Sequence, residues 1–384
     1  MNTAQTNTSL VKQKFVELYG SIPSVYSSPG RINLIGEHTD YNGGFVFPGA
    51  VDKAMVAAIR LNGTERVRVF AVDMNEECEF GLKEEDKPSK QWACYIFGVC
   101  REMAKRGYEP QGFDAVFCGD VPLGAGMSSS AALESTFAFA LSDLLGYNIE
   151  RFELALIGQA TEHNYCGVMC GIMDQFASLH GKEGYLVRLD CRSLEYAYFP
   201  FDAAKYGYRL VLINSRVKHE LVGSPYNERR ASCERVAAKL GREFLRGVTQ
   251  EELDGLRGEV SAEDYQRACY VVGEEQRVLE VCRALEAGDL ERVGEMMYAT
   301  HHGLSAEYEV SCEELDMLVE VAKECGVSGS RIMGGGFGGC TINLVREELY
   351  DTFINTTLER FAERYGHIPE VIPVVISEGA HKVE

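Results

Sequence analysis

The sequence predicts an α+β fold in two domains, and three observations support this prediction. Strand-like and helix-like segments are mixed along the 384 residues, without the strict strand–helix–strand alternation of a doubly wound sheet. A chain of this length typically forms about two domains at roughly 150 residues each. Strands are frequent before residue 195, whereas helices dominate after it. We therefore expect one domain over 1–200 and a second over 201–384.

The first domain is predicted to begin with a helix and to continue mainly in strands. The apolar residues between 10 and 19 fall on one helical face. Two β-branched segments, 54–61 and 65–72, flank Asn62-Gly63, a pair favoured in tight hairpin turns, so we expect these segments to pair with each other. The other predicted elements are helices over 92–107, 131–145 and 151–166, a strand over 113–118 and a hairpin that includes 185–190.

The second domain is predicted to begin with one buried strand and then to be mostly helical. Its helices carry apolar residues at helical spacing, and a glycine-rich turn precedes the last strands. The predicted elements are strands over 209–214, 341–345 and 370–376, helices over 227–240, 262–286, 290–302, 312–325 and 348–365, and a turn over 334–339.

Charge and composition exclude several functional classes. The chain carries 38 Lys+Arg and 58 Asp+Glu, a net charge of −20 at pH 7, so no basic stripe can follow a nucleic-acid backbone. The acidic surface also disfavours anionic membranes, and no apolar run reaches the roughly 20 residues of a spanning helix. The 13 cysteines are scattered singly, unlike the disulfide framework of a short secreted domain. We expect a cytoplasmic protein that binds neither nucleic acid nor membrane.

The segment 119–134 has the features of a phosphate-binding loop. Gly124 and Gly126 would let backbone amides approach a ligand closely, and the serines at 128–130 begin an apolar helix. The free N–H groups and the positive dipole at a helix start attract anions. The segment lacks the lysine of a P-loop and the third glycine of a dinucleotide-binding turn. An ordinary helix cap could have the same Gly–Ser pattern, so both interpretations remain open on these residues alone.

A second cluster of polar residues lies between residues 28 and 44. Arg31, Glu37, His38 and Asp40 stand within ten residues, among apolar neighbours and glycines. Carboxylates accept hydrogen bonds from the vicinal hydroxyls of a sugar, and an arginine can bind a phosphate. A loop whose polar side chains only satisfy the turn backbone would have a similar composition.

Two further segments contain candidate functional residues. Asp174 follows Gly171 in an apolar surrounding, which is an unusual place for a carboxylate. His163 and two nearby cysteines resemble zinc ligands, but no fourth ligand follows at a recognisable spacing, so a zinc site is not favoured. The glycines at 334–339 are too dense for a plain turn, yet glycines alone do not reveal what packs against them.

Taken in this order, the segments resemble the galactokinase subfamily of the GHMP kinases, a family of small-molecule kinases. Residues 30–44 match the signature G-R-x-N-L-I-G-E-H-T-D-Y-N-x-G at every fixed position. Residues 122–132 match the nucleotide motif P-x-G-x-G-L-S-S-S-A-A, with Met127 in place of leucine. Residues 170–175 match C-G-I-M-D-Q, and 221–230 match L-x-x-S-x-Y-N-x-R-R.

The glycine motif departs slightly from the subfamily pattern, R-M-T-G-G-G-F-G-G-C. Ile332 and Met333 replace the methionine and the threonine, whereas the glycines are intact. The departure therefore concerns a local side-chain contact.

The resemblance implies a fold, a reaction and a set of site residues. The fold would be two α+β domains, ribosomal-protein-S5-like at the N-terminus and ferredoxin-like at the C-terminus, with the active site in the cleft between them. ATP, with Mg²⁺, would transfer its γ-phosphoryl group to the C1 hydroxyl of α-D-galactose. Asp174 would be the catalytic base and Arg31 its partner, and Asp40 would hold the C3 and C4 hydroxyls. The sugar would be bound by Glu37, His38, Thr39, Asp40, Gly171 and Tyr226, the triphosphate by Gly124, Ala125, Gly126, Met127, Ser128, Ser129 and Ser130, and Mg²⁺ by Ser130 and Glu162.

The resemblance also defines the competing hypotheses. Some relatives of this subfamily are sensors that bind galactose and ATP without phosphorylating the sugar, but they lack a Ser-Ala dipeptide that is complete here in 128–132. An acceptor such as N-acetylgalactosamine or L-arabinose remains open, because these motifs do not reveal the contacts at C2. Asp174 could accept the C1 proton or only orient the hydroxyl. A monomer is the expected oligomeric state.

Overall fold

The computed structural model of the chain describes residues 3–122, 124–217 and 225–384. In these ranges the strands form three sheets, nearly all strand pairs are antiparallel, and helices pack against the sheets. The predicted α+β fold class is therefore confirmed. None of the helices in these ranges combines the length and the apolar character needed to cross a membrane.

The largest sheet has six strands, and one of them contains the start of the polar segment 28–44. Its only parallel pair is β4 with β6, among the described residues. In spatial order its strands are β13 (His381–Lys382), β1 (Ser24–Asn33), β3 (Pro48–Leu61), β6 (Phe113–Gly119), β4 (Arg66–Ala71) and β5 (Glu76–Gly81).

The predicted hairpin around Asn62-Gly63 is wrong. Strands β3 and β4 do not pair with each other, because β6 lies between them, antiparallel to β3 and parallel to β4. The buried strand β6 thereby forms hydrogen bonds along both edges. Gly112, which precedes it, exchanges backbone hydrogen bonds of 3.0 Å with Asn62 and Thr64 and so widens the turn. A long-range strand pairing has overridden the local turn signal.

The other two sheets are smaller and entirely antiparallel. The predicted hairpin at 185–190 is confirmed, and it forms a sheet of β2 (Phe45–Val46), β7 (Tyr185–Asp190) and β8 (Tyr196–Pro200). The third sheet has the spatial order β10 (Gly329–Ile332), β11 (Cys340–Arg346), β9 (Tyr208–Asn214) and β12 (Glu370–Pro373).

The long helices lie where the apolar periodicity predicts them. The short helix α5, which contains Asp174, was not predicted. The helices are α1 (Thr3–Tyr19), α2 (Gln91–Lys105), α3 (Ser129–Leu144), α4 (Arg151–Thr161), α5 (Met173–His180), α6 (Pro225–Lys239), α7 (Gln250–Gly255), α8 (Ala262–Ala287), α9 (Leu290–His302), α10 (Glu313–Glu324) and α11 (Tyr350–Tyr365).

The division of the chain near residue 200 stays a prediction. Strand β13, near the C-terminus, pairs with β1 of the first sheet. One apolar core contains residues from both halves of the chain, such as Phe47, Phe176, Leu212 and Val278. A second core, which includes Tyr270, lies against the third sheet. Both halves therefore contribute to the surroundings of the site described below.

Candidate active site

A cavity of about 190 Å³ lies where the predicted site segments meet. The end of β1 and the loop after it form one wall, the start of α3 forms another, and the loop before α5 forms a third. The predicted residues that line it are Arg31, Glu37, His38, Asp40, Gly124, Gly126, Met127, Ser128, Ser129, Ser130, Glu162, Gly171, Asp174 and Tyr226.

Arg31 and Asp174 form an ion pair in this cavity. Arg31 lies near the end of β1, and its Nε donates a hydrogen bond of 2.8 Å to Oδ1 of Asp174 in the first turn of α5. The same guanidinium donates to the carbonyl of Gly126 in the phosphate loop. Burial by itself lowers the pKa of Arg31, but the charges of Asp174 and then Glu37 raise it above its ordinary value. Arg31 therefore remains a cation between the phosphate loop and Asp174.

Ser128 is the second partner of Asp174. This serine precedes α3 with a φ of 58°, in the left-handed region that residues other than glycine rarely adopt. Its hydroxyl donates to Oδ2 of Asp174 and does not cap the helix. Backbone strain of this kind concentrates at functional loops, where it orients a side chain. Both carboxylate oxygens of Asp174 are thus held in place by residues that also shape the phosphate loop.

Asp40 lies against Gly171. A Cβ atom at position 171 would stand 1.9 Å from Oδ2 of Asp40, so only glycine fits there. Burial and then the charge of Asp174 raise the pKa of Asp40 to about 7. A half-buried carboxylate in this position is stabilised by hydrogen-bond donors, and ligand hydroxyls would supply them.

His38 belongs to an aromatic group on the same side of the cavity. Its Nδ1 lies 2.7 Å from the hydroxyl of Tyr41, and its ring centroid lies 5.4 Å from that of Tyr226 and 4.8 Å from that of Tyr308. Burial lowers the pKa of His38 to about 3, so the ring is neutral at pH 7. A neutral imidazole has one donor and one acceptor nitrogen, which suits contact with a hydroxyl.

Glu37 is buried and is held by a residue that sequence reasoning missed. Its Oε1 accepts hydrogen bonds from Nη1 of Arg331 at 3.1 Å and from the N–H of Gly334 at 2.9 Å. Arg331 is the first residue of the glycine motif, directly before Ile332 and Met333, which are both buried. The sequence signal that could have identified Arg331 is a single arginine directly before two apolar residues, Ile332 and Met333.

Two predicted residues, Thr39 and Ala125, are not part of the cavity wall. The hydroxyl of Thr39 lies 2.9 Å from the carbonyl oxygen of Gly36 and 2.6 Å from that of Phe45, so it shapes its own loop. Ala125 is fully buried, and its N–H bonds to the carbonyl of Pro122 at 3.4 Å. These positions do not support the ligand contacts predicted for the two residues.

The glycine motif packs against the phosphate loop. A Cβ at Gly126 would lie 2.8 Å from the carbonyl oxygen of Met333, and one at Gly334 would lie 3.2 Å from the carbonyl oxygen of Gly126. The two loops therefore approach backbone to backbone, which explains the density of glycine at 334–339. Residues 221–224 of the remaining predicted motif lie outside the described residues.

Ser130 and Glu162 lie side by side at the edge of the phosphate loop. The hydroxyl of Ser130 donates to Oε1 of Glu162 at 2.9 Å. Burial raises the pKa of Glu162 to about 7, although the hydrogen bond from Ser130 lowers it. A hydroxyl and a carboxylate are hard oxygen ligands, and a divalent cation would offset the cost of burying the carboxylate. The residues present therefore fit Mg²⁺.

A second cavity shares Ser129 and Ser130 of the phosphate loop with the first. Sequence reasoning missed it because its residues are scattered between positions 55 and 133 and form no local motif. Its wall is largely aromatic and apolar, with a few polar side chains, and includes Met55, Met74, Glu76, Lys90, Trp92, Tyr95, Phe117 and Leu133.

Comparisons with known proteins identify the class of protein. The chain matches the galactokinase galactose-binding signature over residues 13–61, the GHMP kinases N terminal domain over 94–182 and the GHMP kinases C terminal domain over 282–352. The crystal structure of Methanococcus jannaschii mevalonate kinase has the same fold, with a TM-score of 0.65 at 17% identity, covering 94% of this chain and 100% of that one. The fold and the site together define a GHMP kinase.

More similar relatives identify the family within this class. A galactokinase of Thermosipho africanus is 38% identical over 358 residues, which are 93% of this chain and 99% of the relative. One of Chloroflexus aurantiacus is 40% identical over 95% of each chain. The crystal structure of Lactococcus lactis galactokinase complexed with galactose has a TM-score of 0.92 at 35% identity, covering 98% of this chain and 99% of that one. The chain belongs to the galactokinase family and is an ATP-dependent sugar kinase.

Proposed function

We propose that the protein transfers the γ-phosphoryl group of ATP to the C1 hydroxyl of α-D-galactose, giving galactose 1-phosphate and ADP. The observation that carries this proposal is the meeting of Asp174, Arg31 and Asp40 in one cavity beside the phosphate loop. Phosphoryl transfer depends on positioning and on stabilisation of charge, and this cavity supplies both. Family membership supports the same acceptor.

The roles follow from the contacts of each side chain. Asp174, held by Arg31 and Ser128, would accept the hydrogen bond of the C1 hydroxyl and orient its oxygen toward the phosphoryl group. Arg31 would stabilise the negative charge on the transferring group. Asp40 would accept hydrogen bonds from the C3 and C4 hydroxyls, while Glu37, His38, Gly171 and Tyr226 would complete the sugar pocket.

The test of this function is ADP release from ATP and Mg²⁺ with a panel of sugars. We expect turnover with D-galactose and much less with N-acetylgalactosamine or L-arabinose. A preference for either of the other sugars would show that the proposed acceptor is wrong, whereas the kinase activity would still hold. Galactose binding without ADP release for any sugar would instead indicate a sensor.

Mg²⁺ is proposed to bind between Ser130 and Glu162, where it would screen the charge of the triphosphate. Replacing Glu162 by Gln removes the charged ligand, so the Mg²⁺ concentration for half-maximal rate should rise more than about tenfold. Galactose binding, measured by calorimetry without nucleotide, should be unchanged. A matched control is Glu153→Gln on α4, whose partner is Arg106 outside the cavity. An unchanged Mg²⁺ requirement in Glu162→Gln would contradict the assignment.

The second cavity is proposed to bind the adenine of ATP, since it adjoins Ser129 and Ser130 and contains Trp92. Trp92 is the single tryptophan of the chain and lines this cavity, so the protein's tryptophan fluorescence comes from this region. We expect a saturable change of fluorescence with ATP and none with tripolyphosphate or galactose. Trp92→Leu should raise the KM for ATP by about 5- to 100-fold, the usual range for a lost stacking contact. If the fluorescence does not change at saturating ATP, the adenine binds outside this cavity.

The cellular location and the oligomeric state are also part of the proposal. All thirteen cysteines are free thiols, which supports a reducing, cytoplasmic location. A monomer is proposed as the oligomeric state, as the resemblance to this family implies. The partner is the small-molecule substrate, with no nucleic acid and no membrane.

A further inference from the structure

Arg331 is a buried cation on β10 whose side chain contacts the end of β1 and the residues that follow it. Its side chain is fully buried, and it is the largest of the completely buried side chains described. Its Nε donates to the carbonyl of Leu34 at 2.9 Å, and its Nη2 donates to the carbonyl of Asn33. Its Nη1 lies 3.1 Å from Oε1 of Glu37. One guanidinium therefore holds three points of the segment 33–37, which we call the sugar loop.

Stability alone is a weak reason for such an arrangement. Two charges removed from water lose hydration, and replacing a buried ion pair by apolar side chains is often neutral or stabilising. Both side chains of the Arg331–Glu37 pair are buried, Arg331 completely and Glu37 with 2% of its surface exposed. Its physical advantage is geometric, because a planar guanidinium fixes several acceptors at once and a lysine does not.

The contacts of Glu37 connect this geometry to the ligand cavity. Its Oε1 is shared by Arg331 and the N–H of Gly334, whereas the side chain also lines the cavity. A shift of Arg331 would therefore move both the carboxylate and the neighbouring glycine loop.

Helix α8 holds the same loop from a second direction. The hydroxyl of Tyr270 donates to the carbonyl of Glu37 at 3.1 Å, and the N–H of Gly36 donates to Oε1 of Glu274 at 2.8 Å. These contacts hold the backbone of the sugar loop. Arg331 is the residue that also binds the Glu37 side chain.

We propose that Arg331 is a positioning residue of the sugar site, which acts by holding Glu37 and the sugar loop where they bind galactose. This inference rests on the proposed function, since it concerns how the same acceptor is held. Arg331 does not line the cavity, whereas Glu37 does, so its effect would pass through the carboxylate of Glu37.

The test compares Arg331→Met, which keeps the apolar stem of the side chain and removes its donors, with Arg331→Lys. We expect Arg331→Met to raise the KM for galactose about 10- to 100-fold, as the loss of hydrogen bonds to a charged group predicts. The KM for ATP should change less than about threefold. Arg331→Lys should have a smaller effect in the same direction, and it decides the question if Arg331→Met does not fold.

Two further variants separate positioning from stability. Arg267→Met removes another buried arginine, whose partners Glu263 and Glu309 lie outside the sugar loop, so it should lower the Tm and leave the galactose KM unchanged. Glu37→Gln tests whether the effect of Arg331 passes through Glu37. In the Glu37→Gln variant, Arg331→Met should raise the galactose KM by a smaller factor than it does in the parent protein.

Each outcome distinguishes the inference from the proposed function. If the parent releases ADP with galactose and both Arg331 variants keep its galactose KM, with only a lower Tm or a smaller active fraction, the inference is wrong. If the parent neither binds galactose in calorimetry nor releases ADP with it, the proposed function fails and this inference fails with it.

Discussion

Asp174→Asn should fold as the parent does and lose about 10²–10⁴-fold in kcat with galactose, the range typical of losing an acid–base group. The substitution exchanges one carboxylate oxygen for an NH₂ group of similar size. Oδ1 and Oδ2 of Asp174 are held by Arg31 and Ser128, so the site is formed before the sugar binds. An amide there can donate a hydrogen bond to the C1 oxygen but cannot accept its proton. Steady-state kinetics with purified variants measure the effect.

Asp316→Asn is the matched control for this experiment. Asp316 is also a hydrogen-bonded carboxylate, with Ser305, Ser311 and His301 as partners, but it lies outside the cavity. It should lower the Tm without a comparable loss of kcat. Near-parental kcat in Asp174→Asn, with a normal Tm and circular dichroism spectrum, would remove Asp174 from the reaction.

The parts of the site that could be predicted are those encoded in short continuous segments. Arg31, Glu37, His38 and Asp40 stand within ten residues, and the structure brings them to one wall of the cavity. The phosphate loop could be predicted for the same reason, since a glycine-rich turn before an apolar helix has a local physical meaning. The resemblance of the motifs then supplied roles that the residues alone left open.

The features that were missed depend on contacts between distant parts of the chain. Strand β6 separates β3 from β4, although Asn62-Gly63 has the local signal of a hairpin. Arg331 contacts residues about three hundred positions away along the chain, and no pattern near it reveals the partner. The wall of the second cavity is assembled from helices and strands whose residues have no common spacing. Thr39 fits the signature, but its hydroxyl bonds to its own loop.

Galactose should exceed glucose in kcat/KM by about 10⁴-fold or more, because sites built to bind a hydroxyl reject analogues that leave a buried polar group unpaired. The two sugars differ only in the orientation of the C4 hydroxyl. Asp40 is the proposed acceptor for that hydroxyl, and its close approach to Gly171 leaves the carboxylate little room to follow an equatorial group. ADP release at matched sugar concentrations measures the ratio.

Asp40→Asn should lower both the galactose-to-glucose ratio of kcat/KM and the rate with galactose. The amide can donate a hydrogen bond to either C4 epimer, but it accepts with only one oxygen. The pH dependence has a defined sign. Burial raises the pKa of Asp40 to about 7, so acidification through pH 7 converts the acceptor carboxylate into an acid with its own donor. Discrimination should therefore be strongest above pH 7 and weaken below it in the parent, whereas Asp40→Asn should show a flat ratio. A parent ratio independent of pH, together with an undiminished ratio in Asp40→Asn, would mean that another residue reads the C4 hydroxyl.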